Sequence, residues 1–319
     1  MEGSMRKIAV LIPCYNEVKT IAGVVRDFRA QLPDAAIYVY DNNSTDKTGE
    51  EAKRAGAIVR RETRQGKGNV MRSMFRQIEA DIYVMVDGDG TYPADRVHDL
   101  ITPIATGEAD MVNGSRLHSL SKSSFKGLNL LGNKMFLFLL NIVFKVRLTD
   151  LLSGYRAFNW ELVKNLPLLS RGFDIETELT LKAIERNYKI IEVPVNLSMR
   201  PEGSESKIRI LRDGILIFNT IFALLRDYKP LTAFGSLGLF FIVLGFIPGI
   251  FVIREFLVTN YVSHFPSAIL AVGLVVIGAI IAFIGLVLHA IARRFQELDY
   301  QLRGLTGLLA NPSKENELS

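Results

Sequence analysis

A single cysteine, Cys14, in a chain of 319 residues excludes an internal disulfide and a thiolate metal cluster, and it fits a reducing cytoplasm. Two stretches, residues 230–253 and 265–292, hold no Asp, Glu, Lys or Arg. Each exceeds the roughly 20 apolar residues that cross a bilayer, which excludes a purely soluble protein. The residues before them carry charge at ordinary globular density, which excludes a channel built mostly of membrane helices. The N-terminal apolar run, residues 8–12, is too short for a signal peptide. No G-x-x-x-x-G-K-[ST] occurs, and no G-x-G-x-x-G follows the first apolar run, so neither an ATPase nor a dinucleotide oxidoreductase is expected.

Positive charge is in modest excess, 38 Lys plus Arg against 33 Asp plus Glu. Much of it flanks the apolar runs, at Arg209, Arg212, Arg226, Lys229, Arg293, Arg294 and Arg303. Anionic headgroups and the positive-inside rule account for that placement, and no nucleic-acid motif accompanies it. The stretch joining the runs, residues 254–264, carries only Arg254 and Glu255, so both termini are expected in the cytoplasm. The organisation that follows is a cytoplasmic domain over residues 5–207, an interfacial amphipathic helix over 208–228, a two-helix transmembrane hairpin over 229–292, and a cytoplasmic helix and tail over 293–319. Phe295, Leu298, Leu302 and Leu305 fall at helical spacing in the last of these, a face for the cytoplasmic domain or for a second copy of the chain.

The first domain alternates β-rich runs with helix-period segments. Strands are expected at 8–13, 37–40, 58–59, 82–86 and 111–113, and helices at 19–32, 45–55, 68–80 and 94–105. This is an α/β pattern, a mostly parallel sheet wrapped by helices, in which ligands bind beyond the C-terminal strand ends. Polar loops stand there: Pro13-Cys-Tyr-Asn-Glu17, Asp41-Asn-Asn-Ser-Thr-Asp46 and Asp87-Gly-Asp-Gly-Thr-Tyr-Pro93. Asp87 and Asp89, one residue apart, suit a hard divalent cation bridging nucleotide phosphates, although a solvated Asp-Gly turn has the same composition. Tyr15, Glu17 and Asp41 offer an aromatic face and carboxylates for a base and ribose, and each alone equally suits a cap or turn. Lys67 in Gly66-Lys-Gly68 precedes a helix, a suitable anion contact.

These motifs, with Gly114-Ser-Arg116, Ser153-Gly-Tyr-Arg156 and Arg200-Pro-Glu-Gly-Ser-Glu-Ser-Lys207, resemble in order those of family 2 glycosyltransferases of the dolichol-phosphate-mannose synthase type. The two trailing apolar runs match their bacterial polyprenyl-phosphate branch. The resemblance implies a GT-A fold, a Rossmann-like catalytic domain that uses Mg²⁺ or Mn²⁺. It implies inverting transfer of one sugar from a UDP- or GDP-linked donor to undecaprenyl phosphate at a bacterial inner membrane, supplying glycan for the cell envelope. Carried over by position, Pro13, Tyr15, Glu17, Asp41, Lys67 and Asp87 contact the nucleotide, and Asp87 and Asp89 hold the metal. Arg116, Arg200, Ser206 and Lys207 receive the acceptor phosphate, with Arg156 a weaker addition. Asp150 takes a catalytic or acceptor-positioning role alongside Asp89, with Glu176 and Glu178 as competing carboxylates. Many relatives carry Asp-Asp-Gly-Ser where Asp41-Asn-Asn-Ser44 stands here, and some carry Gln in place of Thr91.

An alkyl phosphate is already anionic at neutral pH, so its oxygen needs no general base, and positioning with charge neutralisation supplies the catalysis. A processive polysaccharide synthase is the alternative enzyme, but its Gln-x-x-Arg-Trp motif is missing: the lone tryptophan, Trp160, follows Asn159. A non-catalytic membrane scaffold of the same fold is the alternative outside enzymes.

Overall fold

The computed structural model describes residues 6–116, 137, 138, 141, 144, 146–169, 175–197, 226 and 229–310. The chain divides into two compact units, Met1–Ile208 and Arg209–Ser319.

The first unit holds a seven-stranded sheet in the order β3-β2-β1-β4-β6-β5-β7. The strands are β1 (Ile8–Cys14), β2 (Ala36–Asp41), β3 (Ile58–Arg61), β4 (Ile82–Met85), β5 (Met111–Ser115), β6 (Arg156–Asn159) and β7 (Ile190–Pro194). All described pairings are parallel except those of β6 with β4 and β5. Helices α1 (Ile21–Gln31), α2 (Thr48–Arg54), α3 (Lys67–Gln77), α4 (Val97–Thr106), α5 (Trp160–Asn165) and α6 (Ile175–Glu185) connect or flank them, with a 3₁₀ turn at Ala94–Arg96 leading into α4. The mostly parallel α/β fold expected from the alternation is therefore present. Since β6 lies between β4 and β5, the sheet is mixed, a reversal that the apolar pattern of single strands does not encode.

Central strands of such a sheet are covered on both faces, so they read as continuous apolar runs. In β1, Val10 and Ile12 enter one core with Val24, Val25 and Phe28 of α1 and Val97 and Leu100 of α4. Ala9 and Leu11 enter the other with Met71, Met74 and Phe75 of α3, Leu162 of α5 and Leu179 of α6. The apolar residues of α1, Ile21, Val24, Val25 and Phe28, recur at the three- and four-residue spacing of one helical face. The chain runs outward from β1 to β2 and β3, then returns through α3 to β4 on the other side of β1. That reversal opens a crevice beyond the C-terminal ends of β1 and β4, where doubly wound sheets bind ligands.

In the second unit, α7 (Pro230–Thr259) and α8 (Phe265–Ala310) are both long and apolar enough to cross a membrane, over Pro230–Thr259 and Phe265–Leu298. They pack antiparallel: a Cβ on Gly278 would lie 2.6 Å from the Gly238 carbonyl oxygen, and one on Gly245 would lie 3.0 Å from that of Ala271. Backbones approach this closely only where side chains are absent, the usual device for helix association in lipid. The sequence separates a span ending near residue 292 from an amphipathic helix beginning at 293; in the structure they are one continuous helix, α8. No proline interrupts residues 267–310, and the change from apolar to charged composition alters what the helix faces without breaking its hydrogen bonds. The interfacial helix expected over 208–228 lies almost wholly outside the described residues.

Candidate active site

The strand-end loops expected to meet do so, tied by side-chain hydrogen bonds. Asn16 donates its backbone N–H to Ser44 Oγ (3.0 Å) and accepts Thr45 N–H at Oδ1 (2.8 Å), while Glu17 N–H donates to Thr48 Oγ1 (2.8 Å). Thr20 Oγ1 reaches the Gly88 carbonyl at 2.7 Å, binding the β1 loop to the β4 loop. Pro13 pairs with Tyr40 in the β1–β2 register, and Asp41, at the end of β2, accepts Ser44 N–H at 2.9 Å. Tyr15 is half exposed, leaving its ring face for stacking.

Asn42 explains one departure from the family pattern. It is buried, and its amide donates to the carbonyls of Glu62 and Arg64, both at 2.9 Å, while Oδ1 accepts Gly66 N–H at 2.7 Å. An aspartate at this place has no proton for those two carbonyls. Asn42 thus shapes the loop leading into α3. The same loop is held by Glu62, whose carboxylate accepts from Arg64 Nε at 2.9 Å and from Ser73 Oγ. Arg64, with help from Ser73, pulls the Glu62 carboxyl from its ordinary 4.5 to about 2. A depressed folded-state pKa contributes stability that is present above pH 4.5 and lost as pH falls through about 2. Glu62→Gln is therefore expected to lower the urea midpoint at pH 7, with the gap from the parent protein closing as pH falls from 4.5 towards 2.

Lys67 heads α3, its side chain largely buried, and its ammonium pairs with Asp87 Oδ1 (2.5 Å) and with Glu176 of α6. Burial acts to lower its pKa, but the two carboxylates outweigh it and the ammonium is held charged. Asp89 accepts both the N–H and the hydroxyl of Thr91, at 3.1 and 2.7 Å, so Thr91 steadies that carboxylate. Glycine at 154 makes room for Asp87: a Cβ there would lie 2.6 Å from Asp87 Cγ.

Beside this loop, Asp150 is buried and both its oxygens face Arg116, Oδ2 to Nε at 2.7 Å and Oδ1 to Nη2 at 2.9 Å. It also accepts the N–H groups of Arg116 (3.1 Å) and Leu152 (3.0 Å). Burial would raise the Asp150 carboxyl, but the Arg116 hydrogen bonds and charge hold it below the usual carboxylate range. Burial acts to lower the Arg116 pKa, but the Asp150 hydrogen bonds and charge raise it, with Tyr92 and Asp87 adding to the rise.

The weaker phosphate contact suggested by sequence, Arg156, is overturned. Its side chain is fully buried, donating to the carbonyls of Ser153 (2.9 Å) and Leu151 (2.6 Å) and to Thr180 Oγ1 (2.7 Å). Burial lowers its pKa. It holds the 151–155 loop that carries Gly154 and no surface remains for a ligand. Of the competing carboxylates, Glu176 joins the site through Lys67, whereas Glu178 pairs with Lys182 and accepts Leu169 N–H at 2.8 Å. Arg200, Ser206 and Lys207 lie outside the described residues. Sequence reasoning missed Glu192 of β7, which accepts four hydrogen bonds around the Asp150 loop; the signal for it was a lone carboxylate in the apolar run Ile190-Ile-Glu-Val193.

The family model described as Glycosyl transferase family 2 matches residues 9–166, the stretch from β1 to the end of α5. Glycosyltransferase AglJ of Haloferax volcanii is 33% identical over 279 residues, 87% of this chain and 91% of that protein. The chain belongs to glycosyl transferase family 2. This glycosyltransferase is also 27% identical to the undecaprenyl-phosphate mannosyltransferase of Micrococcus luteus, over 63% of this chain and 87% of that one. Its fold matches a crystal structure of glucosyl-3-phosphoglycerate synthase from Mycobacterium tuberculosis in complex with Mn²⁺ and UDP-glucose, with a TM-score of 0.56 at 25% identity over 69% of this chain and 78% of that one.

Proposed function

We propose that this glycosyltransferase moves a single sugar, with inversion, from a UDP- or GDP-linked donor to a polyprenyl phosphate such as undecaprenyl phosphate, at the cytoplasmic face of the membrane. The observation that carries the reading is the Arg116–Asp150 pair beside Asp87. Asp150, the carboxylate given a catalytic or acceptor-positioning role, has both oxygens engaged by Arg116 and a lowered pKa, so it is poorly suited to take a proton. A hydroxyl acceptor needs such a base, whereas a phosphate monoester needs a cation. Arg116 supplies one, its guanidinium oriented by the Asp150 carboxylate. Relatives named for undecaprenyl phosphate and dolichyl phosphate support this acceptor class.

The donor set at the β4 loop fits a small divalent cation. Asp87 and Asp89 are hard oxygen ligands one residue apart, Gly154 leaves room for the Asp87 carboxylate itself, and no group of three or more His, Cys, Asp or Glu arranged to hold a metal is found among the described residues. Mg²⁺ or Mn²⁺, which retain waters and take substrate oxygens, suit two protein carboxylates, and the neighbour solved with Mn²⁺ and UDP-glucose supports that choice. When bound there, such an ion supplies neutralisation of the diphosphate leaving group. Lys67 adds a second positive charge, the Tyr15 face and the Glu17 and Asp41 carboxylates bind base and ribose, and Arg116 holds the acceptor phosphate for in-line attack on the anomeric carbon. The apolar α7–α8 hairpin and the basic residues flanking it support a membrane location with both termini cytoplasmic.

Asp150→Asn replaces one acceptor oxygen by an NH₂ that opposes the Arg116 N–H groups. Transfer is expected to fall by about a hundredfold or more, while calorimetric binding of UDP or GDP with Mn²⁺ stays within about twofold of the parent. Near-normal turnover contradicts the role given to this pair.

A further inference from the structure

We infer that Glu192 is a positioning residue for acceptor binding: it fixes the Thr149–Asp150 segment so that Asp150 can present Arg116 to the acceptor phosphate. The inference rests on the proposed acceptor, and it extends that reading to a residue on a different strand, two layers of contact behind the phosphate.

Glu192 lies on β7 opposite Asn113 of β5 in the parallel register. Its two carboxylate oxygens accept four hydrogen bonds, all from one neighbourhood. Oε2 takes Thr149 N–H at 2.8 Å and the Thr149 hydroxyl at 2.6 Å; Oε1 takes Asp150 N–H and Asn113 Nδ2, both at 3.1 Å. Asn113 also donates to the Asp150 carbonyl, and Ser115 Oγ lies 2.9 Å from Thr149 Oγ1. The backbone of residues 149–150 is therefore anchored to the sheet through one side chain. Asp150 follows directly, with its own oxygens on Arg116.

The four described hydrogen bonds to Glu192 all come from an N–H or O–H, so the site needs an acceptor at both oxygens. Glutamine supplies only one, and its NH₂ must face donors whichever way the amide turns. Two anchor bonds are then lost at one oxygen, and Asp150 shifts without any change to its own side chain. Asp150, held by this anchor, in turn orients the Arg116 guanidinium through both of its oxygens. The nucleotide half of the site, Tyr15, Glu17, Asp41 and Lys67, makes none of the hydrogen bonds to Glu192 described here. The effect of its loss should therefore fall on the acceptor alone.

The test uses the full chain in detergent or nanodiscs, with the parent, Glu192→Gln, Arg116→Ala and the double variant compared for KM and kcat towards undecaprenyl phosphate at saturating donor. Affinity for the donor's nucleoside diphosphate with Mn²⁺ and thermal midpoint are read in parallel. The expected result for Glu192→Gln is an acceptor KM raised by about tenfold or more, with nucleotide affinity unchanged. In the Arg116→Ala background the same substitution should add almost nothing, because both act through one contact. Thr149→Val, which removes one of the four bonds to Glu192 together with the Ser115 contact, should give a smaller shift of KM in the same direction and carries the test if Glu192→Gln fails to fold. An unchanged acceptor KM, a parallel loss of nucleotide affinity, or full multiplicative effects in the double variant overturn the inference. A parent protein that transfers sugar but not to a lipid phosphate overturns the acceptor reading, and the role of Glu192 with it.

Discussion

Asp87→Ala is expected to reduce sugar transfer by about three orders of magnitude, since it removes charge stabilisation where the leaving group develops. The Asp87 carboxylate has two tasks that no neighbour can assume. It pairs with the ammonium of Lys67 at 2.5 Å, and it stands one residue from Asp89 in the only segment of the β4 loop that offers two hard ligands. Without it, Lys67 retains Glu176 alone of its two carboxylate partners, and on the proposed reading the diphosphate also loses a metal ligand. Steady-state transfer with a titration of Mn²⁺ separates the two losses. Excess Mn²⁺ should restore little of the activity, because a missing ligand weakens affinity and misplaces whatever binds. Recovery to the parent rate at high Mn²⁺ would show that Asp87 contributes affinity only.

Gly154→Ala is expected to have a large effect for a change of one methyl group. The added Cβ would stand 2.6 Å from Asp87 Cγ, and the loop has little freedom to retreat: Gly154 N–H donates to Tyr92 Oη at 2.8 Å, and buried Arg156 holds the carbonyls of Leu151 and Ser153. Overpacking of this kind costs about 1–3 kcal/mol, so the protein should still fold with a lowered thermal midpoint. Displacing Asp87 by a fraction of an ångström to an ångström should cost about a hundredfold in kcat. The discriminating readout is the ratio of the two effects. A large drop in midpoint with proportionate loss of active protein would mean a folding defect, whereas a folded protein with poor turnover places the damage at the Asp87 carboxylate.

Much of the site was legible because strand ends announce themselves. Apolar runs ending in Pro13, Asp41 and Asp87 gave three loops, and the parallel sheet brings those loops together whatever the intervening helices do. The order of motifs carried Arg116 and Asp150 as well. Contacts decided by long-range geometry were not legible. Arg156 looks like any surface arginine in a motif, and only the antiparallel placement of β6 between β4 and β5 buries it. Asn42 reads as a departure from a pattern until the carbonyls of Glu62 and Arg64 are seen to require a donor. Glu192 lies 42 residues beyond Asp150 and meets it only because β7 pairs with β5, a neighbour relation that residue spacing cannot supply.

The measurement that bears most directly on the central claim is transfer of labelled sugar from a panel of UDP- and GDP-sugars by the purified full-length protein, in matched reactions with undecaprenyl phosphate or undecaprenol and with Mn²⁺ or EDTA. The expected result is label entering the organic phase from one donor, with the phosphorylated lipid only, and lost with EDTA. Equal transfer to undecaprenol, or label appearing in a water-soluble product while the lipid phosphate stays unlabelled, would contradict the assignment of a lipid phosphate as the acceptor held by Arg116.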